Sequence, residues 1–248
     1  MGHFYDTAGN PVYQVEKKDG SGLRDTTIAD ARKLGLGGSV TTISSLVAKP
    51  GLDHWKTTQV LDAAWEISKK GDKARWVSEV MMTSRKSSES AAKEGNRIHN
   101  NLENYLKGQT PDKLTAIDLE AQVFLGNWLD AMGANNEKND LCVMSEKSFY
   151  HPAGFGGKVD LHGNTFVLDF KTKNTDDPAK MVGWDEHIMQ LAAYREGLGL
   201  PNAKCYNMFI STKVPGLIIM QEYTEEELVR GWQMFSALLV YWKLQNGL

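Results

Sequence analysis

Between Phe155 and Lys173 the chain alternates apolar and polar residues with a period of two, as β-strands with one buried face do. In the first run Val159 and Leu161 point one way, and Lys158, Asp160 and His162 the other. In the second, Phe166, Leu168 and Phe170 oppose Val167, Asp169 and Lys171. Gly163-Asn164 between the runs suits a two-residue turn, because such turns need positive φ and these residues tolerate it. That turn sets Leu161 opposite Phe166 and Asp160 opposite Val167. Asp169 is then diagonal to Asp160, about 7–8 Å away.

Upstream the period changes to that of helices. Ile98, Leu102, Tyr105 and Leu106 form one apolar stripe, with His99 and Glu103 beside it, one turn apart. Leu119, Val123, Leu125, Trp128 and Leu129 form another, predicted to start at Thr110-Pro111-Asp112 and to end near Met132. Ser84–Ser90 (SRKSSES) is a polar interruption and is predicted to link two helices; contact of its hydroxyls with DNA phosphates is the alternative. Ile43, Leu46 and Val47 mark a short helix with capping hydroxyls among Thr41, Thr42 and Ser44. Pro50-Gly51 breaks it, and Leu52, Trp55, Leu61 and Trp65 resume the period. The two tryptophans are expected in a core, with stacking on unpaired bases as the alternative.

The ends are simpler. Residues 1–40 read as a structural arm, with a strand at Val12–Glu16 and a helix over Thr27–Leu34 closed by Gly35. Gly133–Asp140 is a polar loop. Strands are expected at Leu141–Tyr150, Ala203–Ser211 and Leu217–Tyr223, with a helix carrying Gln190 and Tyr194 in between. Thr224-x-x-Glu227 is a capping box. It opens a last helix striped by Leu228, Trp232, Phe235, Leu239 and Trp242. The order is helices, then β-β-β-α-β-β-α. This predicts an α/β (α+β mixed) fold, with a central mixed sheet flanked by helices and a helical N-terminal part. The predicted division is an arm over 1–40, a helical part over 41–140 and a core over 141–248.

Composition narrows the class. At 248 residues, 41% hydrophobic and 24% charged, the chain fits a globular protein. It has no apolar run long enough to span a bilayer and no secretory-type start in Met1–Asn10. Asp6 stands where a myristoylation signal wants Ser or Thr. A cytoplasmic location is expected. A net charge of −3 argues against a general nucleic-acid coat, but not against a local basic groove. Lys69, Lys70, Lys73, Arg75, Arg85, Lys86, Lys93 and Arg97 are the candidates for one. Two cysteines, Cys142 and Cys205, cannot build an iron–sulfur cluster. Both are expected in strands, reduced and buried. There is no nucleotide-binding glycine loop and no zinc-hydrolase motif.

The polar face of the hairpin carries the chemistry. Two carboxylates brought together repel, and a divalent cation neutralises them. Mg²⁺ takes oxygen ligands and keeps several waters, so few protein groups suffice. A water on such an ion becomes a nucleophile at neutral pH. Lys171 adds a point charge for a phosphate or an attacking hydroxide.

Asp160, followed by Asp169-Phe170-Lys171, resembles the acid and D-x-K set of the PD-(D/E)XK nuclease superfamily. Gly95-x-x-x-His99-x-x-Leu102-Glu103 upstream, Gly157-x-x-Asp160, and Gln190-x-x-x-Tyr194 downstream are similar to its RecB-like exonuclease branch, including phage and mitochondrial exonucleases. The likeness spans about Gly95 to Gly199. It implies catalysis by Asp160, Asp169 and Lys171. It implies one or two Mg²⁺ or Mn²⁺ held by His99, Asp160, Asp169 and the Phe170 carbonyl. Gln190 and Tyr194 would bind DNA, with Glu103, Glu146 and Thr172 in outer positions. The implied substrate is DNA, single-stranded or with free ends, and a recombination or replication protein is an implied partner. An endonuclease of the same superfamily, or a non-catalytic DNA-binding subunit, stays open.

Overall fold

The computed structural model describes residues 3–68, 71–111, 113–133 and 142–248. Met1, Gly2, Lys69, Lys70, Asp112 and residues 134–141, and with them nearly all of the expected loop Gly133–Asp140, lie outside them. In chain order the elements are β1 (Phe4–Tyr5), β2 (Gln14–Glu16), β3 (Leu23–Asp25), α1 (Ile28–Leu34), β4 (Gly37–Ser39) and α2 (Val40–Ser44). Next come α3 (Pro50–Glu66), α4 (Lys73–Leu106) and α5 (Ala116–Ala131). The remainder is β5 (Met144–His151), β6 (Phe155–His162), β7 (Phe166–Lys173), α6 (Asp185–Gly197), β8 (Lys204–Ser211), β9 (Ile218–Tyr223) and α7 (Glu225–Asn246). The predicted β-β-β-α-β-β-α order is present. Two compact units result: Met1–Leu46 with Asn101–Leu248, and Val47–Asn100.

The first unit holds a seven-stranded mixed sheet in the order β1-β4-β6-β7-β8-β9, with β5 paired to β6. Its pairs β4–β6 and β7–β8 are parallel; the others are antiparallel. Helices flank it, as the sequence predicts. On one face Trp128 of α5 stands edge-on to Phe166 and Tyr206, at 5.1 and 5.2 Å. On the other, α6 sets His187 against Phe209 at 5.8 Å, and α7 sets Phe235 against Phe155 at 5.0 Å. Phe155, Phe166, Phe209 and Phe235 are fully buried, each worth about 1.5–3 kcal/mol of transfer free energy. Gly37-Gly38-Ser39 of the expected arm is a strand of this sheet. Its glycines leave room for Trp242, whose ring a Cβ on Gly38 would meet at 2.6 Å.

Caps explain where several helices begin. Thr224 closes a capping box with Glu227, as the spacing predicts, and Thr27 closes another with Asp30. The α5 helix starts at Thr115, boxed with Asp118, and not at Thr110-Pro111. Its inward face is Ala121, Leu125 and Leu129; Leu119 and Val123 are exposed. The short α2 is capped by Ser39, whose Oγ accepts the Thr42 N–H, and not by the hydroxyls after it.

The second unit contains α3 and most of α4. Ser84–Ser90 is not a linker: α4 runs unbroken through it. Among these serines, Ser84 Oγ donates to Met81 O at 3.1 Å and Ser88 Oγ to Ser84 O at 3.3 Å. These two hydroxyls thus bond within the helix. Trp65 is 90% exposed, so it does not fill a core, while Trp55 is half-buried. Cys205 is buried in β8, but Cys142 is exposed and precedes β5. Among the described residues no helix is long and apolar enough to cross a membrane.

Candidate active site

The site lies where one strand edge is divided between two partners. On one edge β6 pairs β5 from Phe155 to His162, with a break at Asp160. The other edge pairs β4 at Phe155 and Gly156, and β7 at Leu161 and His162. Between them, residues 157–160 face an opening. The hairpin register is Leu161↔Leu168 and His162↔Val167, and Gly163 N–H donates to Phe166 O. The turn is therefore Asn164-Thr165, one residue later than predicted. The register shifts by two, an even number, which by itself turns no side chain to the other face. Asp160 falls opposite Asp169 instead of diagonal to it.

At that point the ladder opens. Phe170 N–H donates to Asp160 Oδ2 at 2.8 Å, not to a β6 carbonyl. Extended residues present N–H and C=O to the same neighbour, so the Phe170 carbonyl also points to the β6 side. Alternation in β6 changes over here too. Phe155 packs on α7, and Gly157 lies against Tyr194 of α6. Leu161, by its partner Leu168, belongs to the face of Phe166 and α5. Opposite Asp160, Glu146 leaves the β5–β6 register with a φ of +57°. This is an uncommon conformation for a residue with a Cβ.

Asp169 is 3% exposed and held from several sides. Lys171 Nζ stands 2.5 Å from its Oδ2. Gln190 Nε2 donates to Oδ1 at 2.9 Å and to the Tyr194 hydroxyl at 2.8 Å. Gln190 Oε1 accepts from Lys171 Nζ at 3.0 Å. Asn207 Nδ2 donates to Asp169 Oδ2 at 2.9 Å and to its main-chain oxygen at 3.1 Å. Burial, then the charges of Asp169 and Asp160, hold the Tyr194 pKa well above its usual range. It stays a neutral hydroxyl, and both carboxylates act on it. Two residues beyond Lys171, Lys173 donates to the carbonyls of Lys180 and Val182 at 2.9 and 2.6 Å. Burial lowers its pKa.

Asp160, Asp169, Lys171, Gln190 and Tyr194 are thus gathered at one place in the first unit. Thr172 falls on the opposite face of β7, in register with Ile210. Glu146 is ion-paired with Lys158. Glu103 is ion-paired with Lys107, one turn along α4. His99 is half-buried on α4 in the second unit. That unit also carries the described groove candidates; Lys73, Arg75, Arg85, Lys86 and Lys93 are exposed, and Arg97 is paired with Glu94. Sequence reasoning missed Asn207. Its one signal was an amide inside the apolar run Cys205–Ile210.

The donor set suits a hard cation. Among the described residues of the first unit, no third His, Cys, Asp or Glu joins the two aspartates. The groups at the opening are carboxylate and carbonyl oxygens, with no thiolate, and Mg²⁺ or Mn²⁺ prefers such ligands and needs few from the protein. The ammonium of Lys171 already neutralises part of the charge there.

No protein-family model matches the chain. No curated protein matches it either. Its fold is similar to that of solved exonuclease structures, at low identity and low score. With an alkaline exonuclease from Laribacter hongkongensis it shares 14% identity, covering 79% of this chain and 94% of that one, at a TM-score of 0.34. The same exonuclease in complex with dAMP gives 16% identity over 76% and 87%, at 0.34. A predicted exonuclease from Eubacterium rectale gives 13% identity over 62% and 68%, at 0.39.

Proposed function

We propose that the chain is a metal-dependent deoxyribonuclease that hydrolyses phosphodiester bonds. The supporting observation is the meeting of Asp160, Asp169 and Lys171 at the unpaired stretch of β6. Mg²⁺ or Mn²⁺, when bound, supplies a water of lowered pKa and positive charge beside the phosphate. Asp160, Asp169 and the Phe170 carbonyl are the groups that would hold it. Lys171 steadies the attacking water or a phosphate oxygen through its ammonium. Gln190 orients Lys171, since its carbonyl accepts that ammonium while its amide holds Asp169. Tyr194 contacts the DNA near the cut or holds Gln190 for that contact.

Action from DNA ends follows from the sequence resemblance to RecB-like exonucleases. The test is degradation of end-labelled linear DNA with Mg²⁺ or Mn²⁺, by wild type and by Lys171→Ala. Loss in the variant and in chelator is the expected result; equal activity in both proteins overturns the proposal. Digestion of closed circular DNA would move the assignment from exonuclease to endonuclease.

A further inference from the structure

Asp169 lies in a row that crosses three strands: Asp169 pairs with Asn207, and Asn207 with Gln221. Asn207 is fully buried and Tyr223 is 3% exposed. The Tyr223 hydroxyl donates to Asn207 Oδ1 at 2.8 Å. An amide that accepts at Oδ1 must turn Nδ2 the other way, and here Nδ2 meets Asp169. The same strand also holds the entry to α6. Gln221 Oε1 accepts Gly183 N–H at 2.8 Å. A Cβ on Gly183 would lie 1.8 Å from the Tyr223 hydroxyl. The α6 helix begins two residues later and carries Gln190, which grips the other carboxylate oxygen.

We infer that Tyr223 and Asn207 are positioning residues for Asp169, and that β9 braces its carboxylate from both sides: directly through Asn207, and through the start of α6 by way of Gln190. Neither residue touches the substrate. Their work is to keep a buried carboxylate aimed into the opening of the sheet, where a free carboxylate would rotate toward whichever donor lay nearest. This rests on the nuclease reading, because the cation is what the aimed carboxylate receives.

The test is titration of the full chain with Mn²⁺, following the free ion by electron paramagnetic resonance, beside helical circular dichroism. Wild type binds and Asp169→Asn loses binding. Tyr223→Phe and Asn207→Ala weaken it about 10- to 100-fold with unchanged dichroism. Gly183→Ala, which drives the Tyr223 hydroxyl off Asn207, weakens it as Tyr223→Phe does. Gly183→Ala with Tyr223→Phe is close to Tyr223→Phe alone, because the two changes break one link. If Asn207→Ala does not fold, Tyr223→Phe decides, since it removes one oxygen. Wild-type binding in Tyr223→Phe, with Asp169→Asn dead, overturns the brace and leaves the nuclease reading standing. Loss of native dichroism in Tyr223→Phe also overturns the brace, by showing a role in folding. No binding by wild type, or equal binding by Asp169→Asn, overturns the reading beneath it.

Discussion

Asp160 bonds to a main-chain group of the strand across from it: its Oδ2 accepts the Phe170 N–H at 2.8 Å. The carboxylate does the work a backbone carbonyl does elsewhere in the sheet. Charge and hydrogen bonding can therefore be separated by substitution. Asp160→Asn keeps an acceptor and should hold stability within about 1 kcal/mol while abolishing hydrolysis. Asp160→Ala should lose hydrolysis and a further 1–3 kcal/mol or so, the cost of a buried N–H without a partner. Urea unfolding and a DNA hydrolysis assay on the two variants check this.

In the proposed site Lys171 and a divalent cation would neutralise the same carboxylate. Lys171→Ala should lower hydrolysis by about 10²–10⁴-fold. It also leaves Asp169, whose side chain is 4% exposed, without its ammonium, and an uncompensated buried charge is destabilising. Added MgCl₂ should raise the melting temperature of this variant more than that of wild type, in parallel thermal melts. An equal rise in both would show that the ion does not replace the ammonium.

The aromatic packing behind the site is close. A Cβ on Gly197 would lie 1.9 Å from the Phe149 ring, and that ring stands edge-on to Tyr194 at 6.1 Å. Gly197→Ala should cost about 1–3 kcal/mol through overpacking and shift Tyr194. Near-ultraviolet circular dichroism and urea midpoints report the two effects.

Alkali should weaken the fold through the β8 strand. Burial pushes the Cys205 thiol up to about 12. Burial, then the Glu222 charge, pushes Tyr206 up to about 12. Both folded values exceed the unfolded ones, about 8.5 for Cys and about 10 for Tyr. The stabilisation is complete below the unfolded values and is lost as pH rises through the window toward 12. Urea midpoints at rising pH should fall there, and Cys205→Ala should flatten the first part of the decline. Under native conditions at pH 8 a thiol reagent should label exposed Cys142 and spare Cys205.

The order of strands and helices after residue 140 was legible because its apolar periods are clean and its caps are strong. Thr224-x-x-Glu227 and Thr27 with Gly35 mark helix ends by hydrogen-bonding chemistry that does not depend on distant contacts. The placing of Asp169 and Lys171 on one face of β7 followed from alternation, which a register shift of two leaves in place, whereas Asp160 stands where the alternation of β6 changes over. What escaped depends on tertiary contacts. Gly37-Gly38-Ser39 has no alternation, and pairs because small residues fit beside Trp242 and Tyr150. Ser84–Ser90 looks polar enough for a loop, yet serine hydroxyls there bond to helix carbonyls. Asn207 resembles a misplaced polar residue until Asp169 and Tyr223 are seen on either side of it.

The divided edge of β6 also limits what mutagenesis can reveal. The Phe170 carbonyl belongs to every amino acid alike, so no side-chain replacement deletes it, and a complete substitution scan would pass over position 170 as a mere packing residue. A single inserted residue in the Asn164-Thr165 connection would reverse which way that oxygen points while leaving every candidate side chain of the site in the sequence.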